Sequence, residues 1–437
     1  MRLSCVLMVN VALVGLGGGA ARAAALDSPH TLHRPHTAHL IEPRHGARHA
    51  TAAHEAAKAT TKAATSHAQI VASKGSRKLG NGAGTIRRTR LNVRHHYYER
   101  FTASSFAASD IFADDVTTGE DPIVRQAAID ALGDMNGTAV VINPANGRIL
   151  AMVNQKLALS PGAEPCSTIK ITVAMAALSE GLVTRDTMVQ LPGFRMNMTQ
   201  ALAKSNNLYF EELGRELGFE RVRHYANQFG LGELAGYHIE GEQLGVYPDR
   251  PLSEAEGGVG RMCSFGQGVS LTPLQLGAYV AALANGGTLF YLQHPSTPEQ
   301  IAGFAPRIKR TLDIAKFVPD LQDGMAGAVE YGTARRLRAS FTELPVFGKT
   351  GTCSNLGTRY GWFASYSDSP QGSLVTVFFL EGGRPTFGPR AAELTGAFYR
   401  NLWDHNYFAE KTGASASVTP VAAPSAGRSG TAQGANQ

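Results

Sequence analysis

Residues 164–178 read EPCSTIKITVAMAAL. Two nucleophile candidates, Cys166 and Ser167, stand side by side ahead of an apolar run, and Lys170 follows at the fourth position after one and the third after the other. On a helix both spacings are one turn, so geometry alone leaves the lysine within reach of either side chain. The apolar residues beyond Lys170 are too continuous for an exposed helix, and Gly181 supplies a stop. This helix is therefore expected at the centre of a domain, covered on most sides.

The flanking sequence says what covers it. A short helix-like segment, VRQAAIDALG, is followed by GTAVVINPANGRILAMV over 137–153, whose two β-rich runs flank a PANG turn and predict a hairpin. After the central helix come helical segments, MTQALAKSNNLYFEELGRELG and RVRHYANQFG, then the glycine-rich GGVGRMCSFGQGVSLTPLQ and the apolar helix LGAYVAALANGG. Three more β-rich runs, PVFGKTGTC, YGWFASY and SLVTVFFLEGG, precede a helix at about 389–403. Strands at both ends of the domain enclosing a helical middle predict an α+β fold: one antiparallel sheet built from both ends, packed against helices. The SFGQG segment, 264–268, reads as a turn at a close approach, and Trp362 and Phe363 read as sheet core.

Three short motifs occur in order: Ser167-Thr-Ile-Lys170 at a helix start, Ser205-Asn-Asn207 at a break between helices, and Lys349-Thr-Gly-Thr352 in a β-rich run. Each is common alone; their order and setting carry the signal. A serine needs a base within hydrogen-bond reach. Lys170 serves as that base once burial and a second cation, Lys349, have removed its proton. Ser205 can bridge the two lysines and pass a proton towards a leaving amine, and Asn207 can donate to a substrate amide or restrain Lys170. Strand alternation puts Thr350 and Thr352 on one face, where their hydroxyls can hold a substrate carboxylate, and Gly351 leaves room for a substrate backbone. The backbone N–H groups of Ser167 and Thr352 are the expected oxyanion hole.

Composition places this domain in a longer chain of 437 residues. Residues 27–100 hold ten of the fourteen histidines and thirteen Lys or Arg against four acidic residues, so the basic balance belongs there and the rest is mildly acidic. The stretch has too little apolar surface to offset ordering it and reads as a disordered basic tether. Such a tether suits contact with an anionic membrane or wall surface, or serves as a plain spacer; no nucleic-acid readout motif and no ligand-like metal spacing occurs. Arg2, the run LSCVLMVNVALVGLGGGA and the following ARAAA read as a secretory signal peptide or an uncleaved anchor. The expected organisation is 1–25 signal, 26–115 tether, 116–408 folded domain and 409–437 an Ala/Ser/Pro-rich tail. Removing the signal leaves Cys166, Cys263 and Cys353, which allow at most one internal pair.

With NGRILAMV, FGLGELAG and the later IEGEQLG, SFGQGVSLTPLQL, ALANGG and YGWFASY, the three motifs resemble the penicillin-binding transpeptidase domain, from about 120 to 405. The resemblance implies a β-lactamase/transpeptidase-like fold and an exported enzyme of peptidoglycan synthesis needing no cofactor or metal. Ser167 would be acylated by stem peptides ending in D-Ala-D-Ala or, covalently, by β-lactam inhibitors, with Lys170 as base. Ser205 and Asn207 would take the second motif's roles, and Lys349, Thr350 and Thr352 the carboxylate and oxyanion roles. A D,D-carboxypeptidase, a serine β-lactamase, a penicillin sensor and a silent wall-binding protein are the alternatives; SFGQG followed by TPLQL is more similar to the transpeptidases. Wall-synthesis proteins are the partners the resemblance implies. Relatives commonly carry a small residue, often glycine, before the nucleophile and another small residue after the third motif, where this chain has Cys166 and Cys353. Ser167 is the expected nucleophile, since Cys166 has no histidine partner and is open to oxidation after export. Cys166 then either fills space or meets Cys353 across the cleft, which needs Cα atoms about 4.4 to 6.8 Å apart.

Overall fold

A computed structural model of the chain describes residues 101–369 and 372–410. The expected signal segment, most of the tether and nearly all of the tail lie outside them.

Five strands form one antiparallel sheet: β1 (Gly137–Asn143), β2 (Arg148–Val153), β3 (Val346–Asn355), β4 (Thr358–Ser367) and β5 (Leu374–Gly382), in the order β2-β1-β5-β4-β3. Both ends of the domain thus supply strands, as the sequence predicts. The Asn143–Arg148 hairpin closes through Asn143, which accepts from Gly147 N–H at 2.9 Å, with Gly147 in the left-handed region at φ 74°. β1 is buried from Gly137 to Ile142, and alternation sends its apolar side chains to two separate cores.

On one face, Ala139, Val141, Phe363 and Phe378 pack beneath helix α1 (Pro122–Leu132) and the C-terminal helix α8 (Gly388–Asp404). On the other, Val140, Ile142, Trp362 and Phe379 meet the helical middle. Trp362 and Phe363 are both fully buried, one in each core, as their reading as sheet core requires. Trp362 stacks on Phe379 with ring centroids 3.9 Å apart.

The central helix α2 (Lys170–Ser179) is buried from Lys170 to Leu178, and its alanines at 174, 176 and 177 let neighbours approach from all sides. Around it stand α3 (Met198–Lys204), α4 (Asn207–Gln228), α5 (Gly258–Phe265), α6 (Pro273–Ala284) and α7 (Val318–Glu330). Gly218, at φ 73° and ψ 161°, breaks α4 in its middle. The sequence does not predict α5: its glycines weaken the helical pattern, and it packs against α4, where an added Cβ at Gly214 would lie 2.6 Å from Cys263.

Residues 101–115, assigned by composition to the tether, lie against this domain. Ser105 Oγ accepts from Gly383 N–H at 2.8 Å and meets Thr386 Oγ1 at 2.7 Å. The buried carboxylate of Asp115 holds Arg125 at 2.7 Å and the N–H groups of Asn154 and Gln155. The segment is docked in large part by polar groups whose partners lie elsewhere in the sequence, so no local pattern gives a sign of it.

Candidate active site

The chain enters α2 through a tight 3-10 turn, Cys166–Ile169, with Cys166 at φ 52°. Ser167 therefore stands in the first turn of a helix, where backbone N–H groups have no carbonyl behind them. Lys170, one turn on, is fully buried. Its Nζ lies 2.9 Å from Ser167 Oγ, 2.6 Å from Asn207 Oδ1, 3.1 Å from the Ser205 carbonyl oxygen and 3.2 Å from Ser205 Oγ.

The break at 204–207 divides its work residue by residue. Ser205 ends α3 in the left-handed region at φ 54°. Asn206 caps α4, its side chain accepting the Tyr209 N–H at 3.0 Å. Because Asn206 does the capping, Ser205 and Asn207 are free to turn towards Lys170. Asn207 accepts from the lysine through Oδ1, the restraining role, and its Nδ2 hydrogens are left for donation.

β3 is one of the sheet's two edge strands, and its alternation is used on both faces. Lys349, Gly351 and Cys353 point to the nucleophile turn. Lys349 Nζ reaches Ser205 Oγ at 2.8 Å and the Thr350 carbonyl at 2.9 Å, so Ser205 stands between the two lysines. A Cβ at Gly351 would fall 2.8 Å from the Pro165 carbonyl oxygen. The room left by this glycine is filled by the nucleophile turn itself, which corrects the expectation that it accommodates a substrate backbone. Cys353 is disulfide-bonded to Cys166, with Cα atoms 5.5 Å apart. Of the two readings of Cys166, pairing across the cleft is the one observed, and neither thiol is free to act as a nucleophile.

On the other face, Thr350 Oγ1 donates to Thr333 Oγ1 at 2.6 Å and is buried. Its hydroxyl proton is spent on the fold, unlike the expected carboxylate contact. Thr352 Oγ1 accepts from Gly388 N–H at 2.8 Å, which leaves its own proton for a ligand. The two-residue turn Leu356-Gly357 makes Asn355 and Thr358 the closing pair. Alternation along the ladder then turns the N–H groups of Thr350 and Thr352 away from β4 to the open edge.

The electrostatics follow from burial. Burial pushes the Lys170 amine down to about 7, with the nearby Glu211 charge pulling the other way. Lys349 is pushed well below its usual range by burial and then by the charge of Lys170. A neutral Lys170 has two hydrogens and one lone pair. Asn207 Oδ1 and the Ser205 carbonyl can only accept, so they take the two hydrogens and leave the lone pair for the Ser167 hydroxyl proton.

Two supporting groups carry no motif. Thr333, just after α7, donates its N–H to the Ala203 carbonyl at 3.2 Å and so ties the Ser205 turn to Thr350. Trp362 Nε1 donates to the Glu164 carbonyl at 3.0 Å and pins the start of the nucleophile turn to β4. Neither contact has a local signal, because each joins segments more than a hundred residues apart. Trp362→Phe keeps an aromatic side chain but strands that carbonyl, and is expected to cost about 1–3 kcal/mol, read as a lower urea midpoint.

Fold and site together present a serine–lysine arrangement: a serine at a helix start, a buried amine beside it, and a strand edge with outward N–H groups. The penicillin binding protein transpeptidase domain model matches residues 137–399, and the chain belongs to that family. Stage V sporulation protein D of Bacillus subtilis is 28% identical over 317 residues, 60% of this chain and 48% of that protein. Peptidoglycan D,D-transpeptidase MrdA of Escherichia coli K12 is 27% identical over 228 residues, 45% of this chain and 36% of that one. The chain spans about half the length, or less, of the curated relatives it matches. Among solved structures, Pseudomonas aeruginosa PBP2 superposes with a TM-score of 0.56 at 23% identity, covering 66% of this chain and 77% of that one. The D,D-transpeptidase domain of a peptidoglycan glycosyltransferase from Eggerthella lenta gives a TM-score of 0.54 at 20% identity over 66% and 82%. At these identities the structural likeness speaks for the fold.

Proposed function

We propose that the protein is a serine D,D-transpeptidase that acts on peptidoglycan stem peptides ending in D-Ala-D-Ala and binds penicillin covalently at Ser167. The observation that carries this reading is Lys170 Nζ at 2.9 Å from Ser167 Oγ, with Asn207 Oδ1 and the Ser205 carbonyl placed to accept the hydrogens of the neutral amine. Ser167 Oγ attacks the carbonyl carbon of the penultimate D-Ala, and its proton passes to the lone pair of Lys170. The carbonyl π electrons move to oxygen, and the resulting oxyanion is held by the N–H groups of Ser167 and Thr352. Collapse of the tetrahedral species breaks the C–N bond, and a proton relayed through Ser205 between the two lysines goes to the departing D-Ala amine. An acceptor amine then attacks the ester and reverses the relay.

Thr352, with its hydroxyl proton free, and Lys349 take the substrate's terminal carboxylate. Thr350 and Gly351 act beneath them, one through Thr333 and the other by admitting the nucleophile turn. The disulfide fits an oxidising compartment outside the cytoplasm. Among the described residues no helix is long and apolar enough to cross a membrane. The basic tether proposed to touch an anionic membrane or wall surface lies, except for 101–115, outside the described residues.

The test is to label the purified protein with a tagged penicillin, map the adduct by peptide mass spectrometry and follow its lifetime. A slowly released adduct on Ser167, with release of D-Ala and an amide product when an acceptor amine is supplied, is the expected outcome. Hydrolysis alone with the acceptor present would instead favour a D,D-carboxypeptidase, and rapid antibiotic turnover a β-lactamase. No adduct on the folded protein would overturn the reading.

A further inference from the structure

The residue before the nucleophile holds a backbone conformation that its own side chain disfavours. Cys166 sits at φ 52°, in the left-handed region, where a residue with a Cβ costs roughly 1–2 kcal/mol more than in the right-handed one. Its sulfur is bonded to Cys353 across 187 residues of chain. One bridge thus joins the residue before Ser167 to the residue after Thr352, and Ser167 and Thr352 supply the two N–H groups assigned to the oxyanion. Within the turn, the Thr168 N–H and Oγ1 both donate to the Pro165 carbonyl, at 3.1 and 2.6 Å, and close it around Cys166, and the bridge ties that closed turn to β3. Trp362 holds Glu164, and the tight approaches of Gly351 and Gly266 both fall on Pro165.

We propose that Cys166 and Cys353 are positioning residues for acyl transfer: their disulfide holds Cys166 in the left-handed region and so sets the separation of the Ser167 and Thr352 N–H groups. The inference rests on the acyl-transfer reading above. Opening the bridge leaves two thiols and frees Cys166 to relax: a dithiol supplies the two electrons and two protons and closes to its own disulfide, whereas a phosphine supplies the two electrons and becomes its oxide, with water giving the oxygen and the two protons. The Ser167 N–H then tilts away from the oxyanion position. Cys353 is partly exposed, so a reductant reaches the bridge from the strand edge. Glycine occupies the left-handed region at no steric cost, and at position 166 it would hold the turn without a bridge.

The experiment measures penicillin acylation of the full chain, separating the acylation rate constant from the preceding dissociation constant. Wild type, Cys353→Ala and the double variant Cys166→Gly/Cys353→Ala are compared, each with and without a phosphine reductant. Cys353→Ala and reduced wild type are expected to acylate about tenfold or more slowly with the dissociation constant unchanged, since an oxyanion donor acts on the transition state. The double variant is expected to recover most of the lost rate and to ignore the reductant. A merely structural bridge would not give rescue by glycine. Wild-type rates in Cys353→Ala, or a double variant no faster than natively folded Cys353→Ala or reduced wild type, would overturn the proposal. If Cys353→Ala fails to fold, the double variant against reduced and oxidised wild type decides it. Absence of acylation in oxidised wild type would overturn the acyl-transfer reading instead.

Discussion

Lys170→Met is expected to acylate with tagged penicillin about 10²- to 10⁴-fold more slowly than wild type, the range a positioned general base supplies. Methionine fills a similar volume, but it cannot accept the Ser167 proton, and it leaves Asn207 Oδ1 and the Ser205 carbonyl without their donor. The wild-type pH profile is the companion measurement. With the Lys170 amine pushed down to about 7, the neutral base is lost as pH falls, so the rate constant drops tenfold per unit below about 7 and is level above it. Stability has a related signature. A lysine whose folded pKa is depressed stays protonated in the unfolded chain up to its ordinary range, so between about 7 and 10.5 the unfolded state holds more protons and stability rises with pH. Lys170→Met should flatten that rise, with the remaining slope coming from Lys349. An unchanged rate or an unchanged profile in the variant would remove Lys170 from the role of base.

Ser167→Ala is expected to abolish covalent labelling outright while keeping the fold. Ser167 Oγ has the lysine as its hydrogen-bond partner, and the helix start loses no cap with it, since the turn carries no side-chain cap. Reversible binding of penicillin, followed by calorimetry, should survive, because the groups proposed to meet the carboxylate, Thr352 and Lys349, are untouched. The expected pattern is therefore binding without capture. Residual covalent labelling, at Cys263 or anywhere else, would show that a different nucleophile contributes. Cys263 is a poor candidate on physical grounds: it is fully buried, and burial pushes its thiol up to about 12.

Much of the fold was legible in the order of its elements. The hairpin at 137–153, the apolar helix after Lys170 and three late β-rich runs each carry a local period, and only one sheet can use strands from both ends. The missing helix at Gly258–Phe265 and the docked segment at 101–115 show the limit: one has its helical pattern weakened by glycines, the other is held by buried polar contacts. Both are invisible to hydrophobic periodicity.

The site divides in the same way. By itself the sequence determined which residue types were present at helical and strand spacing: Ser167 with Lys170 one turn on, Ser205 and Asn207 at a helix break, and Lys349 to Thr352 in a strand. Only the tertiary structure decided what each faces. It turned Asn207 onto Lys170, gave the space at Gly351 to the nucleophile turn, spent the Thr350 hydroxyl on Thr333 and joined Cys166 to Cys353. The physical reason is range: spacing along the chain fixes a residue's phase on its own helix or strand, whereas the partners that hold the site residues in place come from segments 35 to 187 residues away.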